Sequence, residues 1–174
     1  MGTWGITAFE DDTAMEFYDS FCENGITASE IDNLSKTILN KQYDMELHGY
    51  MMDGFDEPSE LLVAAEIICA SMGKQIPQYP NKEYHDELEI PIINLRNLKR
   101  GLSKETISNV ISAIRKIQTD KDIHYYILWR ESDNFDKWKT YSDDLVMRLQ
   151  NIELNDVDKT TVSLFERLKG FLKK

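Results

Sequence analysis

Residues 61–72 read LLVAAEIICASM, and this run largely determines the fold class that the sequence predicts. A helix that is apolar nearly all round has to be surrounded by other elements, so we expect it to lie at the centre of the protein. Pro58 falls near its first turn and Gly73 just past its end, where these residues commonly flank a helix. The alanines in the run allow neighbouring helices to approach closely.

Two amphipathic helices are predicted before this central helix. Thr13 and Glu16 fit a capping box that opens the first of them, and Gly25 is a typical end. Its apolar stripe has helical spacing and consists of Ala14, Phe17, Tyr18, Phe21 and Cys22. Thr27 and Glu30 form a second capping box, which opens the second helix. The ten residues at the N-terminus are predicted to be extended.

The segment from residue 74 to residue 101 is the least regular part of the chain, because Pro77, Pro80 and Pro91 each break helix continuation. Within it, LEIPIINL at 88–95 has the composition of an extended stretch, although Pro91 argues against a central strand. Further helices are predicted from Ser103 onward, near 122–131, over 134–150 with Asp133 as N-cap, and over about 156–172.

The pattern as a whole predicts an all-α fold, a single compact bundle of about six or seven helices with an extended N-terminal segment. The alternation of apolar and polar residues that marks a strand is nearly absent. A length of 174 residues suits one domain better than two. We assign residues 1–150 to the helical domain and 151–174 to a C-terminal amphipathic helix packed on it.

The net charge of −11 is concentrated in the first third of the chain. Residues 1–60 hold 14 acids against only Lys36 and Lys41, whereas residues 61–174 hold 17 acids and 18 bases. Such a surface disfavours nucleic acid, since phosphate binding requires a basic patch. It favours a basic protein partner. The commoner alternative is an acidic face that is only solvated and serves solubility.

The sequence carries no sign of a membrane or secretory location. No apolar run approaches the roughly 18 residues that span a bilayer, and the basic and apolar regions of a signal peptide are missing. Gly2 suits myristoylation, but Ile6 stands where that motif requires Ser or Thr. We therefore expect a cytoplasmic protein with no membrane partner.

The cysteines and tryptophans are expected to be core residues. Cys22 and Cys69 fall among apolar residues and are interpreted as buried free thiols, with a disulfide or a reactive cysteine as the alternative. Trp4, Trp129 and Trp138 have the residue type that lines ligand pockets, but tryptophans more often anchor a core by burying large apolar area.

Recognisable catalytic and cofactor motifs are missing from the sequence. There is no G-x-S-x-G nucleophile elbow and no glycine-rich phosphate loop. None of the three histidines belongs to an H-E-x-x-H motif, and the HDE run at 85–87 is read as solvated surface rather than as metal ligands. Asp53, Asp56 and Glu57 lack the spacing of a calcium-binding loop. We therefore predict no catalytic residue, no metal and no cofactor.

The stretch at 43–60, YDMELHGYMMDGFDEPSE, is the candidate binding segment. It has six acids, three aromatics and three methionines, and no Lys or Arg. Carboxylates pair with basic side chains of a partner, and aromatic and Met side chains fill the centre of an interface. The predicted partner-binding residues are Asp44, Glu46, Tyr50, Asp53, Phe55, Asp56, Glu57 and Glu60. Alternatively, Tyr43, Tyr50 and Phe55 fold back onto the protein's own core.

Three stretches resemble the bacterial domain-of-unknown-function family 4259. They are the opening MGTWGITAFEDDTAMEF, the run LLVAAEIICASMG, and ILWRESDNFDKWKTYSDDLVMRL. In the last stretch the matching residues are Leu128, Trp129, Glu131, Ser132, Trp138, Asp144 and Leu145. The resemblance runs from residue 1 to about residue 150. It implies a prokaryotic cytoplasmic protein with a shared fold, and it implies no chemistry.

Our leading functional hypothesis is a non-enzymatic acidic protein-binding module, an immunity-type or antitoxin-like inhibitor of a basic toxin. Acidity speeds the encounter with a basic partner, and desolvated aromatic side chains then hold the complex. The alternative is a small enzyme or ligand-binding domain whose site is assembled only in three dimensions. A third possibility is a scaffold subunit that docks through its C-terminal amphipathic helix.

Overall fold

The computed structural model describes residues 6–9, 12–41, 56–74 and 91–152 of the chain. These residues form seven helices and no strand, so the all-α prediction is confirmed. In chain order the helices are α1 (Asp12–Asn24), α2 (Ala28–Asn40), α3 (Asp56–Ser71), α4 (Ile92–Gly101), α5 (Lys104–Ile117), α6 (His124–Arg130) and α7 (Phe135–Gln150). The helix predicted over about 156–172 lies outside the described residues.

Helix α3 is the centre of the bundle. Every residue from Leu61 to Cys69 is buried, which includes one charged residue, Glu66. The helix packs against α1, α2, α4, α5 and α7. The run that is apolar all round in the sequence is therefore surrounded by helices, as predicted, and α2 and α5 form a second closely packed pair beside it.

The predicted signals at several helix ends are confirmed. Thr27 and Glu30 form both bonds of a capping box at the start of α2, and the Ser103 side chain accepts from the backbone N–H of Thr106 at the start of α5. Gly25 and Gly73 follow α1 and α3 with φ of 74° and 69°, in the left-handed region that favours glycine.

Side chains from distant helices satisfy the C-terminal carbonyl groups of α1 and α2. The Asn94 amide of α4 donates to the carbonyl oxygens of Phe21 and Cys22, at 3.0 and 3.3 Å. Lys116 Nζ of α5 donates to three carbonyl oxygens at the end of α2, those of Ile38, Leu39 and Lys41, at 2.9, 3.3 and 2.8 Å. The cation also complements the partial negative charge at that helix end, so α4 and α5 fix the positions of the two acidic helices.

Four local predictions are wrong. Thr13 lies inside α1, which begins at Asp12, and its hydroxyl donates to Asp56 Oδ1 at 3.5 Å. Asn134, not Asp133, precedes α7, and no side-chain cap bond is formed there. The end of LEIPIINL is helical, because Pro91 is the N-cap of α4 with a φ of −56°. Residues 6–9 of the N-terminal segment form a bend and a turn rather than an extended stretch.

Candidate partner-binding face

The predicted binding residues divide into two groups in the structure. Asp44, Glu46, Tyr50, Asp53 and Phe55 lie outside the described residues. The other three, Asp56, Glu57 and Glu60, lie in the first five residues of α3, with Asp56 exposed and the other two half-buried. The structure thus places three of the eight on one helix end, beside α1 and α2.

The charges of the seven helices are segregated. Helices α1, α2 and α3 carry ten acidic residues and one lysine. Helices α4 to α7 carry ten basic residues and four acids. Nine of the ten acids on α1–α3 reach the surface, and the tenth is the buried Glu66. One side of the bundle is therefore strongly negative, and we call α1, α2 and the first turns of α3 the acidic face.

Some carboxylates of the acidic face have partners in the protein. Lys36 Nζ pairs with Asp32 at 2.6 Å, and Lys41 Nζ pairs with Glu57 at 2.8 Å. The Glu30 carboxylate accepts from the backbone N–H and the hydroxyl of Thr27, which lowers its pKa. These interactions provide partners for the carboxylates of Asp32, Glu57 and Glu30, and none of them involves Glu60.

Glu60 differs from these carboxylates. Within the described ranges it forms no ion pair and no hydrogen bond. Burial raises the pKa of Glu60, and the neighbouring carboxylates of Asp56 and Glu57 raise it further. Its ionised form is thus disfavoured by its surroundings, and a cation brought from outside would relieve that penalty.

Glu60 lines a cleft of about 300 Å³ between α1, α2 and α3. Phe17, Phe21, Ile26 and Leu34 give the cleft apolar walls. Ser20, Gly25 and Glu30 complete the lining. The charge of Glu60 was recognisable in the sequence, but its association with these residues was not, because they come from α1, α2 and the loop between them.

A second polar cluster joins α3 to α7 and was not anticipated from the sequence. Glu66 is wholly buried, and both of its oxygens accept from the Arg148 guanidinium at 2.7 Å. The Tyr141 hydroxyl donates to Glu66 at 2.8 Å and accepts from the backbone N–H of Ala8 at 3.2 Å. Arg148 also donates to Asp144 at 2.7 Å. A charged residue within an otherwise apolar run indicates a buried ion pair. The sequence does not indicate which residue is its partner.

This cluster has the properties of a structural ion pair rather than of a catalytic site. The Glu66 carboxylate is saturated by Arg148 and Tyr141, and burial raises the pKa of the Tyr141 hydroxyl well above its ordinary value. Cys69 lies in the same region, and burial raises the pKa of its thiol to about 12. A thiol with so high a pKa is a poor nucleophile near neutral pH.

The cysteines, and the two tryptophans that the structure describes, are core residues. Cys22 and Cys69 are buried free thiols, as expected. The rings of Trp129 and Trp138 are buried and stacked, with centroids 5.6 Å apart. Trp4 and the HDE run at 85–87 lie outside the described residues. Across the described ranges no group of three or more potential metal ligands occurs, and no helix is both long and apolar enough to cross a membrane.

Comparison with known proteins gives one match. A family model described as a domain of unknown function (DUF4259) matches residues 2–141 of the chain. The matched range contains α1 to α6, the start of α7 and all eight predicted binding residues. Neither the curated proteins nor the solved structures contain a significant match.

Proposed function

The chain belongs to the DUF4259 family of domains of unknown function, and we propose that it is a non-enzymatic, cytoplasmic protein-binding module. In this proposal the partner is a basic protein, and the module acts as an immunity-type or antitoxin-like inhibitor of a basic toxin. The proposal is supported mainly by one observation, the segregation of nine surface acids and only one lysine onto α1, α2 and α3.

A one-sided negative surface suits this role for a physical reason. Summed over several carboxylates, the field of such a face extends beyond a single contact and steers a basic partner toward it. Steering raises the association rate, whereas the lifetime of the complex depends on groups that are desolvated in the interface. The acidic face offers both kinds of group, because its carboxylates surround a cleft with apolar walls.

A ligand-binding domain is the second candidate, and the cleft is the observation that favours it. Its volume of about 300 Å³ lies at the lower limit of small-molecule sites. A small ligand would depend on the residues that line the cleft, whereas a basic protein would also depend on the carboxylates outside it. Asp56 and Glu57 do not line the cleft, so their neutralisation distinguishes the two candidates.

The proposed function is tested by neutralising the acidic face. The variant D56N/E57Q/E60Q removes three carboxylates from the start of α3. A basic partner is first identified by affinity capture from the native cytoplasm, and its binding kinetics are then measured with both proteins purified. We expect the association rate of the variant to fall about tenfold at low salt, with a smaller change in the dissociation rate, and added salt to lower the wild-type rate in the same way.

A matched variant controls for net charge. D122N/E131Q/D133N also removes three carboxylates, all from exposed positions between α5 and α7. It should bind the partner like the wild type, because these residues are not part of the acidic face. Equal binding by wild type and D56N/E57Q/E60Q would contradict the proposal. So would a partner that is only a second copy of this chain, bound through its basic helices.

A further inference from the structure

The cleft between α1, α2 and α3 combines apolar walls with an unpaired carboxylate. Phe17, Phe21 and Leu34 contribute apolar surface from two helices, and Glu60 contributes a carboxylate from the third. In the part of the chain that the structure describes, this carboxylate has no ion-pair or hydrogen-bond partner. A charge that is partly desolvated and unpaired is unfavourable. A cation that enters the cleft would remove this penalty.

Glu30 adds a second negative group to the lining of the cleft. The Glu30 carboxylate accepts two hydrogen bonds from Thr27, and both go to Oε2, at 2.7 and 2.8 Å. These two bonds leave Oε1 as an acceptor. The hydrogen bonds from Thr27 lower the pKa of Glu30, so it stays ionised at neutral pH. Among the described residues that line the cleft, an anionic ligand would therefore meet two carboxylates and no cation.

The end of α1 adds a third negative contribution. Ser20, Phe21 and Gly25 place the cleft at the C-terminal end of this helix, where the helix dipole presents partial negative charge. Helices commonly carry a basic residue in their last turn, which complements this charge. The last turn of α1 has no basic residue and contains Glu23 instead. A cation from a partner would provide the charge that the helix itself lacks.

Only some ligand chemistries match both the walls and the charge. A neutral apolar side chain would fill the cleft but leave Glu60 more deeply buried without a partner. An anion would be repelled. Lysine and arginine side chains have an apolar stem and a cationic end, so they bury methylene groups while the charge meets a carboxylate.

We propose that this cleft receives one lysine or arginine side chain of a protein partner, with the stem against Phe17, Phe21 and Leu34 and the cation at Glu60. The inference rests on the proposed function, which it makes specific to one side chain of the partner. It also separates the roles of the three carboxylates at the start of α3. Asp56 and Glu57 act at long range, whereas Glu60 contacts the bound cation.

The probe for this site is the pentapeptide acetyl-Gly-Gly-Lys-Gly-Gly-amide, titrated into nitrogen-15-labelled protein. We expect saturable amide shift changes at the cleft, centred on Ser20, Phe21, Gly25 and Ile26. Glu60→Gln keeps the shape of the side chain and should weaken peptide binding about fivefold, as loss of a partly exposed ion pair does. Asp122→Asn, at an exposed position that does not line the cleft, should leave binding unchanged.

A second variant tests the cleft without changing its charge. Ser20 lines the cleft and is exposed, so Ser20→Trp should block the cleft and abolish peptide binding while the melting temperature stays within a few degrees of wild type. The same peptide with norleucine in place of lysine keeps the apolar stem and lacks the cation. It should bind at least about fivefold more weakly than the lysine peptide.

Three results would overturn the inference: equal binding of the norleucine peptide, unchanged binding to Glu60→Gln, or shift changes spread over the acidic face without saturation at the cleft. If one of these occurs while the captured partner still requires the three carboxylates at the start of α3, the cleft assignment fails and the proposed function stands. If the peptide saturates the cleft but the partner binds D56N/E57Q/E60Q normally, the proposed function fails and only the preference of the cleft for a basic side chain remains.

Discussion

Glu60 and Glu66 lie on the same helix but in opposite electrostatic surroundings. Glu66 is wholly buried and bound by Arg148 and Tyr141, with both of its oxygens in use. Glu60 is half-buried beside an apolar cleft, and burial together with two neighbouring carboxylates raises its pKa. Among the described residues, the protein thus supplies a cation to Glu66 and none to Glu60.

The difference separates a structural role from the proposed binding role. Both oxygens of Glu66 already accept hydrogen bonds from Arg148 and Tyr141. The pair therefore holds α7 against α3 and is not available to bind a ligand. No cation lies beside Glu60 in the described part of the chain, so its charge does not stabilise the folded state, and in our proposal it is available to a partner. Removing the partners of Glu66 should therefore lower stability strongly, whereas neutralising Glu60 should raise stability slightly.

The largest effect is expected from Arg148→Met. Removing the guanidinium leaves the Glu66 carboxylate buried without its cation, which should cost about 3–5 kcal/mol of the free energy of unfolding. Urea denaturation at neutral pH measures the loss. Arg96→Met, at an exposed position of α4, is the control and should change stability by less than about 0.5 kcal/mol. A loss from Arg148→Met as small as that of the control would mean that the pair does not hold α7 in place.

A smaller loss is expected from Tyr141→Phe. This change removes the hydroxyl that donates to Glu66 and accepts from Ala8, while the ring stays in place. Loss of a hydrogen bond to a charged group should cost about 1.5–3 kcal/mol, measured by the same denaturation. Tyr126→Phe is the matched control, because the described residues show ring contacts but no hydrogen bond for Tyr126. Equal effects of the two changes would contradict the role assigned to the Tyr141 hydroxyl.

The smallest effect, and one of opposite sign, is expected from Glu60→Gln. Because the folded-state pKa of Glu60 is raised, its ionisation opposes folding, and stability is lost as the pH rises through the interval between the unfolded and folded pKa values. At pH 7 the variant should be more stable by roughly 0.2–0.5 kcal/mol for each like-charged pair that is relieved. The gain should disappear near pH 3, where the carboxyl is protonated in both states. A loss of stability at pH 7 would show that Glu60 has a stabilising partner.

Local sequence signals were sufficient to predict much of the fold. The apolar run from Leu61, the Thr27 and Glu30 capping box and the glycines after α1 and α3 each act within a few residues, and the structure confirms them. Helix α4 was missed because the prolines before it suggested irregular structure, although Pro91 in fact starts the helix.

The sites were harder to predict because they depend on residues that are distant in the chain. Glu66 and Arg148 are 82 positions apart, and no local pattern connects them. Glu60 was selected from a cluster of acids, but the apolar walls that make it distinctive come from Phe17 and Leu34 on other helices. Composition therefore indicated the acidic face, whereas only the packing of the helices distinguished Glu60 from its neighbours.

The most direct test of the role of Glu60 is an NMR titration of its side-chain carboxyl carbon, with and without the lysine pentapeptide. In the free protein we expect a pKa above the ordinary value for glutamate, as its burial and its acidic neighbours require. With saturating peptide the pKa should fall, because the bound cation favours the ionised form. A Glu60 pKa that stays the same at saturating peptide would contradict the claim that this carboxylate is the contact point for a basic partner.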